Sequence, residues 1–150
     1  MNVEIIDLTR TMHDGMEAYP GDVTGLAVER LADFKPDGYA LSRLTFFHAH
    51  CGTHFDSPHH FIADGPDVSE LPLVLPPIAL VDTRAREIGP EELSTAGNLV
   101  GKAVLIHTGW DKEIGTERFY RDYPIITPAG AEYLVPQGIA IRGQNTPSPD

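Results

Sequence analysis

The 150-residue sequence has a single cysteine, Cys51, so an intramolecular disulfide is excluded. Lysine and arginine are also scarce: 11 basic side chains stand against 22 acidic ones, and the net charge is −11. Nucleic acids and anionic membrane surfaces are bound mainly through basic side chains, so this balance argues against both as partners. The lone cysteine is typical of proteins in a reducing compartment.

Several signals that would assign the chain to another class are missing from the sequence. No stretch approaches the roughly 18 consecutive apolar residues that indicate a membrane-spanning helix. The opening residues MNVEIIDLTR lack the basic start and apolar core of a secretory signal, so we expect a cytoplasmic protein. The sequence also has no phosphate-binding loop, dinucleotide fingerprint or nucleophile-elbow serine.

The local patterns that are present predict an α/β protein with a mixed sheet and short helices. The length predicts one domain over residues 1–150. Helices are expected where Pro and Gly bracket a helical pattern, and Thr127 is expected to cap the helix at 127–138. The unbroken apolar run before His107 predicts a strand buried on both faces. Strands are predicted at 3–8, 26–31, 40–50, 78–83, 102–110 and 139–143, and helices at 89–97, 115–123 and 127–138.

Five of the seven histidines lie in one stretch, HAHCGTHFDSPHHF, residues 48–61. Gly52 and Pro58 disfavour a helix here, so we expect an extended chain with side chains on alternating faces. Cys51 then faces a core, and the bare Gly52 leaves room for an ion on the other face. The residues that would share this second face are His48, His50, Gly52, His54 and Asp56.

Imidazole nitrogens and a carboxylate on one face form a donor set suited to Zn²⁺ or Mn²⁺. Pro58 redirects the chain, so that His60 can approach the same point as a proton carrier. A histidine on a strand is more often an ordinary polar residue than a ligand, and His48 and His59 are interpreted as non-ligands. A structural or dimerisation module whose histidines bind no metal is the alternative.

The segment HCGTHFDSPHHF, residues 50–61, matches the pattern His-x-Gly-Thr-His-x-Asp-x-Pro-x-His-Phe at every fixed position. This pattern resembles the signature of the cyclase family of metal-dependent hydrolases, which includes bacterial kynurenine formamidase and isatin hydrolase. The segments IIDLTRTMHDGMEAYPGD, DGYALSRLTF, VLIHTGWD, ITPAGAEYLVPQGI and RGQNTPSPD also resemble family segments. The resemblance therefore covers nearly the whole chain.

The resemblance implies a swivelling β/β/α fold and a homodimer or homotetramer. It also implies that His50, His54 and Asp56 are metal ligands and that His60 is the catalytic acid–base. The expected reaction is hydrolysis of a small amide, either an N-formyl arylamine or a cyclic amide, by metal-activated water. Aromatic candidates for the substrate-binding wall are Tyr19, Phe47 and Trp110.

Two features depart from the family pattern. Asn145 stands where the family has an aspartate before Thr-x-Ser, and the sequence ends at Asp150. Family members continue further, and the additional segment supplies a His and a Glu to the metal site, so the fold is expected to be C-terminally shortened. The resemblance thus leaves two interpretations: an active hydrolase, or a truncated, catalytically impaired metal-binding member of the same family.

Overall fold

A computed structural model describes residue 4 and residues 6–19, 21 and 23–150 of the chain. By its internal contacts the chain divides into two compact units, residues 1–71 and 72–150. The expectation that residues 1–150 form one domain stays a prediction. No helix in the described part of the chain is long and apolar enough to cross a membrane.

The first unit is built from two antiparallel strand pairs. Strands β3 and β4 form the longer ribbon, in which Leu26 pairs with Phe46 and a register shift lies between Arg30 and Ala32. The predicted strand 26–31 is confirmed, whereas the predicted strand 40–50 is shorter. The predicted strand 3–8 lies partly outside the described residues, and residues 6–8 are not in a strand. The elements are β1 Glu17–Ala18, β2 Val23–Thr24, β3 Leu26–Ala32, α1 Phe34–Asp37, β4 Leu41–Phe46 and a 3-10 turn Pro58–His60.

A small apolar cluster forms the core of the first unit. Its buried members are Met16, Ala18, Leu26 and Cys51. Cys51 pairs with Ala18 in an isolated antiparallel bridge, and only 5% of its surface is exposed. The predicted packing role of Cys51 is therefore confirmed, and this residue ties the histidine-rich segment to the core.

The second unit contains a parallel sheet in the order β5-β7-β9, with helices between the strands. The predicted strands and the two main helices are confirmed with shorter bounds, except that the last strand is shifted and ends at Gln144. Thr127 caps α3 by accepting from the Gly130 amide. The predicted helix 115–123 is instead a 3-10 turn. The elements are β5 Ile78–Asp82, β6 Glu87–Ile88, α2 Pro90–Ser94, β7 Ala103–His107, β8 Ile125–Ile126, α3 Pro128–Leu134 and β9 Ile141–Gln144, with 3-10 turns Trp110–Glu113, Glu117–Tyr120 and Val135–Gln137.

Burial in the second unit is concentrated on one face of its sheet. Val104 and Ile106 of β7 are buried, but Leu105 and His107 are only half-buried, so the prediction that β7 is buried on both faces is wrong. On β5 the same alternation leaves Ile78 and Leu80 exposed. The helices cover the buried face of the sheet, opposite Ile78 and Leu80. The core residues on that face are Ala79, Val81, Ile88, Leu93, Leu99, Val104, Ile106 and Leu134.

Candidate metal centre

The histidine-rich segment is a turn and not an extended strand. Strand β4 ends at Phe46, and Gly52 has a φ angle of +68°, in the left-handed region that glycine adopts without strain. The predicted alternation of side chains over residues 48–56 is therefore wrong. A strand could not continue through Gly52, because the chain reverses there and folds the following residues back toward His50.

The reason for glycine at position 52 also differs from the prediction. A Cβ atom at this position would lie 3.5 Å from Met16 Cε and 3.7 Å from Met12 Cγ, at ordinary contact distance. It would contact the methionines of the first unit and not the histidine nitrogens. Gly52 is thus required by the backbone conformation and not by the space that an ion needs.

The turn brings the three predicted ligands, His50, His54 and Asp56, together. His50 Nδ1 lies 3.0 Å from His54 Nε2 and 3.3 Å from Asp56 Oδ1. His54 Nε2 lies 3.6 Å from the same Asp56 oxygen. Two imidazole nitrogens and one carboxylate oxygen therefore face one small volume, although they reach it by a different backbone path from the one predicted.

His60 joins the same group from the next turn. Pro58 begins the 3-10 turn that carries His60, whose ring centroid lies 4.6 Å from that of His50. Ligand atoms of His50, Asp56 and His60 all lie within 4.8 Å of one another. The geometry therefore assembles the four predicted residues but does not by itself separate ligand from acid–base, and these roles stay predictions.

The environment of His50 favours the neutral imidazole. Burial lowers the pKa of His50 below its usual range, and the neighbouring His54, His60 and His48 lower it further, while the Asp56 carboxylate opposes them. A metal binds the neutral form of histidine, so a lowered pKa keeps this ligand available at lower pH.

The orientation of His54 fits a metal ligand as well. Its Nδ1 lies 3.0 Å from the Gly52 carbonyl oxygen, which can only accept, so Nδ1 carries the proton. The lone pair of Nε2 then points toward His50 and Asp56. Histidine ligands commonly donate their second ring N–H to a backbone carbonyl in this way. The donor set therefore fits a Zn²⁺ or Mn²⁺ ion.

The three aromatic residues predicted to line a substrate pocket lie in different surroundings. Tyr19 and Phe47 are exposed, and the Tyr19 amide donates to the His50 carbonyl oxygen at 3.3 Å. Trp110, in the second unit, is 7% exposed, and its indole N–H donates to the Phe119 carbonyl oxygen. The substrate-binding role of all three stays a prediction, and the observed role of Trp110 is packing.

Sequence reasoning missed one contact at the centre, and it did not indicate the hydrogen-bond partners of Asn145. His48 Nδ1 accepts the backbone N–H of His50 at 3.1 Å, a contact that the spacing i, i+2 permits for a side chain with an acceptor. Asn145 Oδ1 accepts from the Thr108 amide at 3.0 Å, and its Nδ2 donates to Asp111 at 2.7 Å. The departure at position 145 is therefore built into a hydrogen-bond network.

The family model "Cyclase: Putative cyclase" matches residues 6–150. The chain belongs to the cyclase family. It is 28% identical over 149 residues to the kynurenine formamidase of Geobacillus thermodenitrificans, covering 97% of this chain and 69% of that protein. It is 26% identical over 138 residues to the isatin hydrolase of Roseibium aggregatum, covering 75% of this chain and 52% of that protein.

Solved structures of other proteins share the fold of this chain. Isatin hydrolase A from Labrenzia aggregata superposes with a TM-score of 0.83 at 23% identity, over 97% of this chain and 68% of that chain. A structure described as a "potential metal-dependent hydrolase with cyclase activity" has a TM-score of 0.76 at 21% identity, over 97% and 69%. The predicted α/β fold is thereby confirmed. The chain spans about 70% of the length of the formamidase that it matches.

Proposed function

We propose that this chain is a metal-dependent hydrolase of a small amide, either an N-formyl arylamine or a cyclic amide. The observation that carries the proposal is the convergence of His50, His54 and Asp56: His50 Nδ1 and His54 Nε2 lie 3.3 Å and 3.6 Å from the same Asp56 oxygen. Kinship with a kynurenine formamidase and an isatin hydrolase supports the substrate class. The proposed assembly is a homodimer or homotetramer in the cytoplasm.

In this proposal His50, His54 and Asp56 hold a Zn²⁺ or Mn²⁺ ion. When bound, such an ion acts as a Lewis acid that polarises the amide carbonyl and makes a water molecule more acidic. The residues themselves contribute orientation. His54 is held through its Nδ1 by the Gly52 carbonyl, and His50 through its backbone by the Tyr19 amide. Ligand side chains that are already held in position lose less conformational freedom when an ion binds.

His60 is the proposed acid–base, which accepts a proton from water and returns it to the leaving nitrogen. Its 3-10 turn is held by the amides of Phe61 and Ile62, which both donate to the Pro58 carbonyl oxygen. The His59 amide also donates to the Pro66 carbonyl oxygen. A histidine on a turn fixed in this way keeps its distance from the ligands, and a positioned acid–base typically contributes about 10² to 10⁴ in rate.

The decisive experiment compares His60→Ala with His54→Ala for metal content and turnover. We expect His60→Ala to retain the metal and to lose about 10² or more in kcat. His54→Ala should lose metal and activity together. The substrates are an N-formyl arylamine and a cyclic aromatic amide, and His59→Ala, which changes a neighbouring exposed histidine, is the matched control.

The outcomes separate the proposal from its alternatives. Loss of metal in His60→Ala would make His60 a ligand and overturn its proposed role. Metal binding without turnover of either substrate would favour the catalytically impaired member of the family. Absence of metal binding in the unaltered chain would favour a module whose histidines bind none.

A further inference from the structure

We infer that His48 is a positioning residue for the metal centre: its Nδ1 atom holds the backbone of His50 and thereby aims the His50 ring at His54 and Asp56. The inference rests on the proposed metal-binding function. It concerns a residue that the sequence pattern interprets as a non-ligand. The observation that carries it is the 3.1 Å hydrogen bond from the His50 amide to His48 Nδ1.

The His50 amide depends on this contact because its segment has no ladder of backbone hydrogen bonds. Strand β4 ends at Phe46, and residues 47–50 form no regular element. A partly buried N–H without an acceptor is unfavourable, and here the His48 side chain supplies the acceptor. A side-chain acceptor at residue i that binds the N–H of residue i+2 forms the same ring as an Asx-turn. His48 thus supplies the acceptor that Asn or Asp usually supplies in such a turn.

The hydrogen bond also defines the tautomer of the neutral His48 ring. A nitrogen that accepts from a backbone N–H carries no proton, so the neutral His48 ring is protonated on Nε2. The Nδ1 lone pair is occupied by the amide, and Nε2 offers no lone pair. His48 therefore cannot bind an ion in this arrangement, although its ring centroid lies only 5.3 Å from that of His50.

The backbone of His50 is held at both ends of its residue. The His50 N–H donates to His48, and the His50 carbonyl oxygen accepts from the Tyr19 amide at 3.3 Å. The next residue, Cys51, is buried in the core of the first unit. With the backbone held on both sides, the starting point of the His50 side chain is set, and its observed orientation places Nδ1 next to His54 and Asp56.

The test uses His48→Ala, which removes the acceptor, and His48→Asn, which restores one at the Asx-turn position. His48→Gln is the matched control, because its oxygen lies one methylene further from the backbone. Zn²⁺ affinity is measured by titration calorimetry. We expect His48→Ala and His48→Gln to bind Zn²⁺ about 10-fold to 100-fold more weakly, the range found when the support of a metal ligand is removed. His48→Asn should restore most of the affinity. Equal affinity in all four chains would overturn the inference, and so would equal losses in His48→Asn and His48→Ala.

A second measurement on the metal-free chains keeps this inference separate from the proposed function. Hydrogen exchange of the His50 amide, followed by NMR, should be about fivefold or more faster in His48→Ala than in the unaltered chain. His48→Asn should restore the protection. If the amide is protected but no chain binds Zn²⁺, the proposed function fails and the His48 contact stands. If the amide exchanges at the same rate with and without His48, the inference is wrong, whatever the metal does.

Discussion

Replacing Gly52 by alanine is the most informative perturbation of the centre, because two different reasons for the glycine predict different results. At φ +68° an L-residue costs about 1–2 kcal/mol. The added side chain also restricts the unfolded chain, which offsets about 0.4–1 kcal/mol. Steric overlap adds little, since the nearest atom to the new Cβ is 3.5 Å away. We therefore expect Gly52→Ala to destabilise the first unit by about 1 kcal/mol.

Gly52→Asn is the matched variant, because asparagine tolerates the left-handed region better than alanine although it is larger. If conformation is the reason for the glycine, Asn should cost less stability and less Zn²⁺ affinity than Ala. If the glycine makes room for an ion, the larger Asn side chain should weaken Zn²⁺ binding more than Ala does.

The stability assay should report on the first unit alone. Cys51 is the only cysteine in the sequence and lies in the core of that unit, so alkylation of its thiol against urea concentration follows the unfolding of the unit. Zn²⁺ affinity is measured on the same chains. An unchanged unfolding midpoint for Gly52→Ala, or an Asn variant that binds Zn²⁺ more weakly than the Ala variant, would refute the conformational explanation.

Three further predictions follow from other contacts. Asn145→Asp removes the donor to Asp111 and places two carboxylates together. We expect the free energy of unfolding, measured in urea, to fall by about 1 kcal/mol at pH 7 and by less near pH 3.5. An equal loss at both pH values would argue against repulsion. Burial raises the pKa of the Cys51 thiol, so iodoacetamide should label the folded chain much more slowly than the chain in urea, as measured by mass spectrometry; equal rates would contradict the burial. Hydrogen bonds from Arg84 and His107 lower the pKa of Asp82 below 3.8, so its contribution to stability is present above that pH and is lost as the pH falls through the lower folded value. Asp82→Asn should therefore destabilise more at pH 6 than at pH 2, as checked by unfolding at both pH values; an equal loss at the two pH values would contradict this linkage.

The candidate donors of the centre could be predicted because they are residue types that bind metals and lie close together in the sequence. His50, His54 and Asp56 lie within seven positions, and Pro58 marks the turn that returns His60. Any compact path through so short a segment keeps these side chains close together. These side chains therefore lie together as predicted, although the predicted backbone is wrong: the chain turns at Gly52 and is not a strand there.

The strands of the second unit were predictable for a similar reason, since β5, β7 and β9 are short apolar segments with clear boundaries. The burial of β7 was not predictable, because it depends on which faces of the sheet are covered. Leu105 and Val104 are both apolar in sequence, but only Val104 lies on the face packed against the helices. Apolar character reports what a residue prefers, whereas the neighbours decide whether it is buried.

By itself, the sequence determined the family, the fold class and the set of candidate donors, because these follow from residue types and their local order. Only the tertiary structure decided how the donors meet and what holds them. The left-handed turn at Gly52 directly follows Cys51, which packs in a buried cluster with Met16, Ala18 and Leu26, residues distant in sequence. The role of His48 likewise depends on the absence of a strand partner for the His50 amide. Such contacts arise from folding, so no local pattern around the histidines could have contained them.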